Sequence, residues 1–367
     1  MKKINHIQDI YSFGLTSKAL FFVDLPIREF KACDLEGTPI NSYKSDKRLS
    51  PVSCSSEGLC WVDNFDNSQS ILYLNNEFIE KKIIISKVFK NDAFTNTLIC
   101  PDSRIRLMTK LNLTTSKEYW TFKPGFEPML ITDKYCIKGT TNGITALNNQ
   151  TGEELWTYTL PKEFDYLLFS DLIEANISHI LGLYNDIIWL ALNSGALVGV
   201  NSHTGKFVKH ITSPDFYSDD CSLDKEGLDK GNGATFHTTP QLDTEKGIIF
   251  SCIRNMYSEI DLNQESFPYT VWDITKELDI QDSFSNTYPF RVSKIGGVAD
   301  DTIYIYDDSD SQCFGAFDQN TKKILWSEIF QGENEGWGAI HNLKYASGHL
   351  YIHAKVDKSL HIYKLEK

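Results

Sequence analysis

The chain has 367 residues, 41% hydrophobic and 13% aromatic, enough to bury one large core or two ordinary ones. Acidic residues outnumber basic ones by 49 to 36, a net charge of −13, which disfavours a phosphate-backbone partner and favours a basic or neutral one. The sequence has no low-complexity tract and no run of roughly 20 apolar residues, so a disordered chain and a membrane-spanning helix are both excluded.

The opening MKKINHIQDIYSFGL lacks the apolar core of a signal peptide, because Asn5, His6, Gln8 and Asp9 interrupt it. The expectation is a soluble, cytosolic protein. The first strand-sized apolar run is ALFFV at 19, followed by LCWV at 59, LIC at 98, YCIKG at 135, IIWLA at 187, IIFSC at 248, TIYIY at 302 and HLYIH at 349. A hairpin pattern follows most of them. FKACDLEGTPINSY (30–43) carries Asp34 and Gly37 in its turn, and SILYLNNEFIEKKI (70–83) keeps the hairpin without a glycine. KLNLTTSKEYW ends in Trp120, and NGITALNNQTGEELWTYTL (142–160), ALVGVNSHTGKFVKHI (196–211) and CFGAFDQNTKKILWSEIF (313–330) are the fullest copies.

Each copy reads as a strand, an Asn or Asp, a polar turn ending in Thr-Gly or Thr-Lys, and a second strand. Gly152 and Gly205 stand where a tight turn needs positive φ, and Asn201 or Asp318 can bond back to the turn backbone. Trp120, Trp156 and Trp326 are expected between neighbouring sheets. A further short strand precedes each anchor, as in TTPQLDTEKGIIF (238–250). Four strands per repeat is the unit of a β-propeller, with each four-stranded sheet one blade. Eight anchors imply a single all-β propeller domain over 1–367 with eight blades, seven being the alternative. HLYIHAKVDKSLHIYKLEK ends after a third strand, and KKINHI (2–7) is placed to supply the fourth.

The residues ALNNQTGEELW, with TTPQLD in another copy, resemble the repeat of the pyrroloquinoline-quinone-like (quinoprotein-like) β-propeller family. The match is good at 146–156, fair at 316–326 and partial at 199–209; elsewhere only the strand rhythm carries it. For the family's enzymes the resemblance implies a quinone in the axial funnel, a calcium ion, an aspartate base, a stacked tryptophan and often a vicinal disulfide. This chain has no adjacent cysteines and no export signal, so it resembles the branch that uses the propeller as a scaffold, with no cofactor and no metal.

Other chemistry has little support. The eight cysteines (33, 54, 60, 100, 136, 221, 252, 313) are dispersed without a C-x-x-C pair and read as reduced, buried thiols, with a disulfide or zinc site as the alternative. The nine histidines form no H-E-x-x-H. His349 and His353 share a strand face about 13 Å apart, too far to hold one metal. Neither a G-x-S-x-G elbow nor a P-loop occurs, and the acids of DDCSLDKEGLDKGNG (219–233) lack the order of a calcium loop.

The repeat phase sorts the loops. Connections between second and third strands of a blade share a face with connections between blades, opposite the hairpin turns. On that face DDSD (307–310) nets −3, the insertion 211–235 nets −4, ITKELDIQD (274–282) nets −2 and QGENEGW (331–337) nets −2. The expected partner-binding acids are Asp215, Asp219, Asp220, Asp224, Glu226 and Asp229 in the insertion, Asp307, Asp308 and Asp310, and Glu333 and Glu335. Phe216, Tyr217 and Trp337 are the candidate aromatic anchors. These features point to a non-catalytic binding protein for a basic protein partner, most concretely a cytosolic immunity protein that occludes a toxin domain. The alternatives are a general scaffold or adaptor, and an enzyme using the central funnel on a small molecule or saccharide.

Overall fold

The computed structural model describes all residues except 25, 55–59, 65–68, 75, 82–89, 93–96, 103–106, 113–117, 123–128, 141, 169–170, 212–239, 254–255, 268, 275–278, 282–286, 290–293, 309–311, 331–339, 357 and 367. Within 81–129 it describes the backbone alone. The chain is all-β, a 3-10 turn at Lys162–Phe164 being the helical element among the described residues. Among the described residues no helix is long and apolar enough to cross a membrane, which leaves membrane crossing by strands unaddressed.

Among the described residues the strands form eight four-stranded antiparallel sheets and two small two-stranded ones. Every expected anchor is the second strand of a four-stranded sheet: Leu20–Asp24, Cys60–Asn64, Thr97–Asp102, Tyr135–Thr140, Ile187–Leu192, Ile248–Ile253, Thr302–Tyr306 and His349–Ala354, numbered here as sheets one to eight. The chain divides into two compact units. Met1–Pro124 with Thr275–Lys367 holds sheets one, two, three, seven and eight, and Gly125–Ile274 holds sheets four, five and six. The small hairpin Asp279–Gln281/Thr287–Pro289 takes up part of the segment expected as an acidic loop.

Burial falls from the middle strands outward. In sheet four the third strand, Gly143–Asn148, is buried over five successive residues, whereas the fourth, Glu154–Thr159, is mostly exposed. Middle strands covered on both faces need continuous apolar runs, each fully buried Leu, Ile or Val contributing about 1.5–3 kcal/mol. In the first unit, Phe21, Phe30, Ile71 and Tyr73 pack sheet one against sheet two. In the second, Ile144, Tyr158, Ile188 and Val198 pack sheet four against sheet five.

The turns are built as their residues dictate. Asn148 Oδ1 accepts the N–H groups of Gln150 and Thr151 at 2.8 and 3.1 Å, Asn201 those of His203 and Thr204 at 3.1 and 3.0 Å, and Asp318 those of Asn320 and Thr321 at 2.9 and 2.7 Å. The left-handed residue closing each turn is Gly152, Gly205 and, in the third copy, Lys322 at φ 59°. In SILYLNNEFIEKKI, Asn76 at φ 66° does the work of the missing glycine.

Among the described residues a β-bulge interrupts the outer strand of six sheets, leaving Ile4, Ile40, Tyr119, Leu155, Val208 and Leu325 as the extra residue. Trp156, Asn41 and Lys209, each directly after a bulge, reach the hairpin turn of the next sheet. Trp156 Nε1 donates to Ser202 O at 3.0 Å, and a Cβ added at Gly205 would meet the Trp156 ring at 2.6 Å. Asn41 Nδ2 donates to Asn76 O at 3.2 Å, and Lys209 Nζ lies 5.3 Å from the ring centre of Phe267 in the turn of sheet six.

The N-terminal strand Lys2–Ile7 completes sheet eight by pairing antiparallel with Leu360–Lys364, with His6 opposite His361. It is a working copy of the fourth strand. Its post-bulge residue Asn5 donates to Glu36 O at 2.9 Å in the turn of sheet one, beneath Gly37.

The cysteines correct one expectation. Cys54 and Cys60 are register partners on the first two strands of sheet two, with Cα atoms 4.2 Å apart, and form a disulfide. Hairpin pairing brings them together, a relation that sequence spacing without a C-x-x-C does not display. Cys33, Cys136, Cys252 and Cys313 are buried thiols as expected.

Candidate functional site

Of the expected partner-binding residues, Asp215, Phe216, Tyr217, Asp219, Asp220, Asp224, Glu226, Asp229, Asp310, Glu333, Glu335 and Trp337 lie outside the described residues. The two that are described belong to the loop between the second and third strands of sheet seven. Asp307 is fully buried, and its N–H donates to Cys313 O at 2.9 Å, closing the mouth of the loop. From the sequence, an exposed acid is expected at this position. The reason for its burial is positional, since Asp307 directly follows the buried strand Thr302–Tyr306.

Asp308 is half-buried and ion-paired with Lys294, the first residue of the same sheet. The hydrogen bond from Lys294 to Asp308 leads the causes that hold the lysine above its ordinary range. A surface pair of this kind contributes at most about 1 kcal/mol, but it offsets one charge of DDSD locally.

The hairpin turns carry the other polar constellation. Tyr135 Oη lies 2.7 Å from His203 Nδ1, and His203 Nε2 lies 3.1 Å from Asp186 Oδ1. A tyrosine, a histidine and an aspartate in line resemble a proton relay, yet His203 and Asp186 are 46% and 67% exposed, in surroundings that do little to strengthen such a relay. The outer pair of positions recurs between sheets eight and one, where His349 Nε2, at the place of Tyr135 in its strand, lies 3.9 Å from Glu36, at the place of His203 in its turn. Recurrence at two sheet junctions marks this as joinery.

His349 and His353 engage separate partners: His349 Nδ1 contacts Ser347 O and His353 Nε2 contacts Ile10 O, each at 3.0 Å. Among the described residues no three His, Cys, Asp or Glu side chains come together as a metal site would require. Burial pushes the Cys33 thiol up to about 11 and that of Cys252 higher still, so neither supplies a thiolate at neutral pH. Sequence reasoning missed Lys294 as the counter-ion of Asp308; 14 residues separate them, and only their meeting at one end of sheet seven joins them.

No family model matches the chain, and no curated protein matches it. Solved structures do. The C-terminal WD40 domain of Sif2 is similar over 100% of this chain and 98% of its own, with a TM-score of 0.63 and 11% identity. Sqt1 of Saccharomyces cerevisiae is similar over the whole of both chains, at 0.59 and 9%. The computationally designed protein Ika8 likewise matches over both full lengths, at 0.54 and 8%. At these identities the likeness speaks to fold alone, and together with the repeated four-stranded sheets it identifies the chain as a β-propeller.

Proposed function

We propose that this chain is a non-catalytic, protein-binding β-propeller that engages a basic protein through its acidic loop face. In its most concrete form the reading is a cytoplasmic immunity protein that neutralises a basic toxin domain. The observation that carries it is the concentration of acids, uninterrupted by any repeat residue, in the insertion 211–235 and in 331–337. A rigid array of sheets presenting irregular loops is a common arrangement for recognition. Complementary charge would raise the association rate and select the partner. We read the repeat as quinoprotein-like and the chain as one domain of eight blades, supported by the eight anchors and by ALNNQTGEELW.

The test is capture of partners from the native host by the full chain, followed by mass spectrometry. The expected catch is a protein of basic isoelectric point. Reversing Asp219, Asp220, Asp224, Glu333 and Glu335 to lysine should abolish capture while leaving the melting temperature unchanged. Undiminished capture by the reversed variant removes the acidic face from the reading.

A further inference from the structure

Sheet two begins with the two-residue strand Ser53–Cys54, the shortest first strand of the eight four-stranded sheets among the described residues. Two register pairs hold it to the second strand, Ser53 with Trp61 and Cys54 with Cys60, and the second pair is the disulfide. The free thiols face other residue types across their ladders: Cys33 stands opposite Leu20, Cys136 opposite Leu147, Cys252 opposite Tyr257 and Cys313 opposite Ile329.

The two ends of the bond differ in surroundings. Cys60 is fully buried on the second strand, in one cluster with Val62, Ile71 and Tyr73, whereas Cys54 is half-buried at the end of the short strand. The sulfur of Cys54 lies over Gly14 on the first strand of sheet one, where an added Cβ would meet it at 2.1 Å and Val52 Cγ1 at 3.0 Å. Beside it the Val52 N–H donates to Ser12 Oγ at 2.7 Å, a second tie to the same strand of sheet one.

Bonded sulfurs sit about 2 Å apart, whereas two thiols need the roughly 3.5–4 Å of ordinary non-bonded contact. With the Cα atoms 4.2 Å apart, that separation requires a side chain to rotate or a strand to move. Cys60 is held by its core neighbours, and Cys54 is backed by Gly14 and Val52, so the two-residue strand is the part that gives. The bond spans a sequence separation of 6, so it restricts the unfolded chain far less than a long-range disulfide does, and its leverage is local.

We propose that Cys54 and Cys60 form a reversible redox site, reduced by a small thiol, whose reduction releases the first strand of sheet two from the second. The thiolate of the reductant attacks the half-exposed sulfur of Cys54. A new S–S bond forms as the old one breaks, and Cys60 leaves as a thiolate that takes a proton from solvent. A second thiolate attacks the reductant's sulfur in the mixed disulfide and frees Cys54, which is protonated in turn. Two reductant thiols are thereby oxidised to one disulfide, and the protein's disulfide is reduced to two thiols. None of the acidic loop residues takes part, so the proposal stands or falls independently of the partner-binding reading.

The full chain is equilibrated at pH 7, without denaturant, in dithiothreitol from about 0.1 to about 10 mM, then labelled with N-ethylmaleimide and read by peptide mass spectrometry. Cys54 and Cys60 are expected to label together, while the buried Cys33, Cys136, Cys252 and Cys313 stay unlabelled. Amide hydrogen exchange at 52–54 should quicken at least about tenfold on reduction, and oxidised glutathione should re-form the bond and restore the slow rate. The double variant Cys54→Ser, Cys60→Ala, which cannot form the bond, should exchange fast with or without reductant. Persistence of the disulfide at the highest dithiothreitol concentration, labelling of Cys54 alone, failure of the bond to re-form, or slow exchange in the reduced chain or the double variant each overturns the proposal.

Discussion

Lys322 occupies a left-handed conformation that Gly152 and Gly205 occupy in sister turns, closing the same bond to the residue four before it, 2.9 Å from Lys322 N–H to Asp318 O. A side chain there costs roughly 1–2 kcal/mol, offset partly by the greater chain entropy that glycine loses on folding. Lys322→Gly should therefore stabilise the protein by about 0.5–1 kcal/mol in urea unfolding. Gly205→Ala should do the reverse, by about 2 kcal/mol or more, because its methyl would also strike the Trp156 ring. Asp318 gives a pH signature: its bond from the Thr321 N–H, first among the causes, holds its carboxyl below the usual range. A depressed folded value means stability present above about pH 4 and lost as pH falls through the folded value. Asp318→Asn, matching Asn148 and Asn201, should lower the melting temperature at pH 7 and have less effect at pH 2.5. An equal effect at both pH values would show that the charge is irrelevant to the turn.

At the scale of an element, the bulge explains the repeat's spacing. The turn and bulge place the junction residue four positions after the left-handed residue: Trp156 after Gly152, Trp326 after Lys322, Lys209 after Gly205 and Asn41 after Gly37. A bulged outer strand also twists its exposed edge away from pairing with other chains, and Ile40, Leu155, Val208 and Leu325, each about half exposed, sit at that kink. Trp156→Phe keeps the ring but strands Ser202 O, and should cost about 1 kcal/mol. Removing residues 1–8 takes away the fourth strand of sheet eight, the packing of Ile4 and Ile7 and the Asn5 bond to sheet one. Its melting temperature should fall by at least about 5 °C, and an unchanged value would show that the strand adds no stability.

At the scale of the whole molecule, the proposed recognition is electrostatic and its kinetics follow. Association with a basic partner should slow as ionic strength rises and the Debye length shrinks from about 30 to about 8 Å, measured by stopped flow. A salt-independent rate would indicate an apolar interface. The second strands and hairpins could be read directly, because a strand covered on both faces must be continuously apolar, as in IIWLAL, and a tight turn favours Asn or Asp ahead of a left-handed residue, glycine most readily. Those are local requirements, so the sequence by itself determined the four-stranded repeat and the need for Lys2–Ile7 to complete the last sheet. The tertiary structure alone decided that Asn5, Asn41 and Lys209 do the work of Trp156, that Asp307 is buried, that Lys294 offsets Asp308, and that Cys54 faces Cys60. The reason is that hydrogen bonding and burial at these positions are set by neighbours on other strands, through contacts that leave no periodicity in the chain.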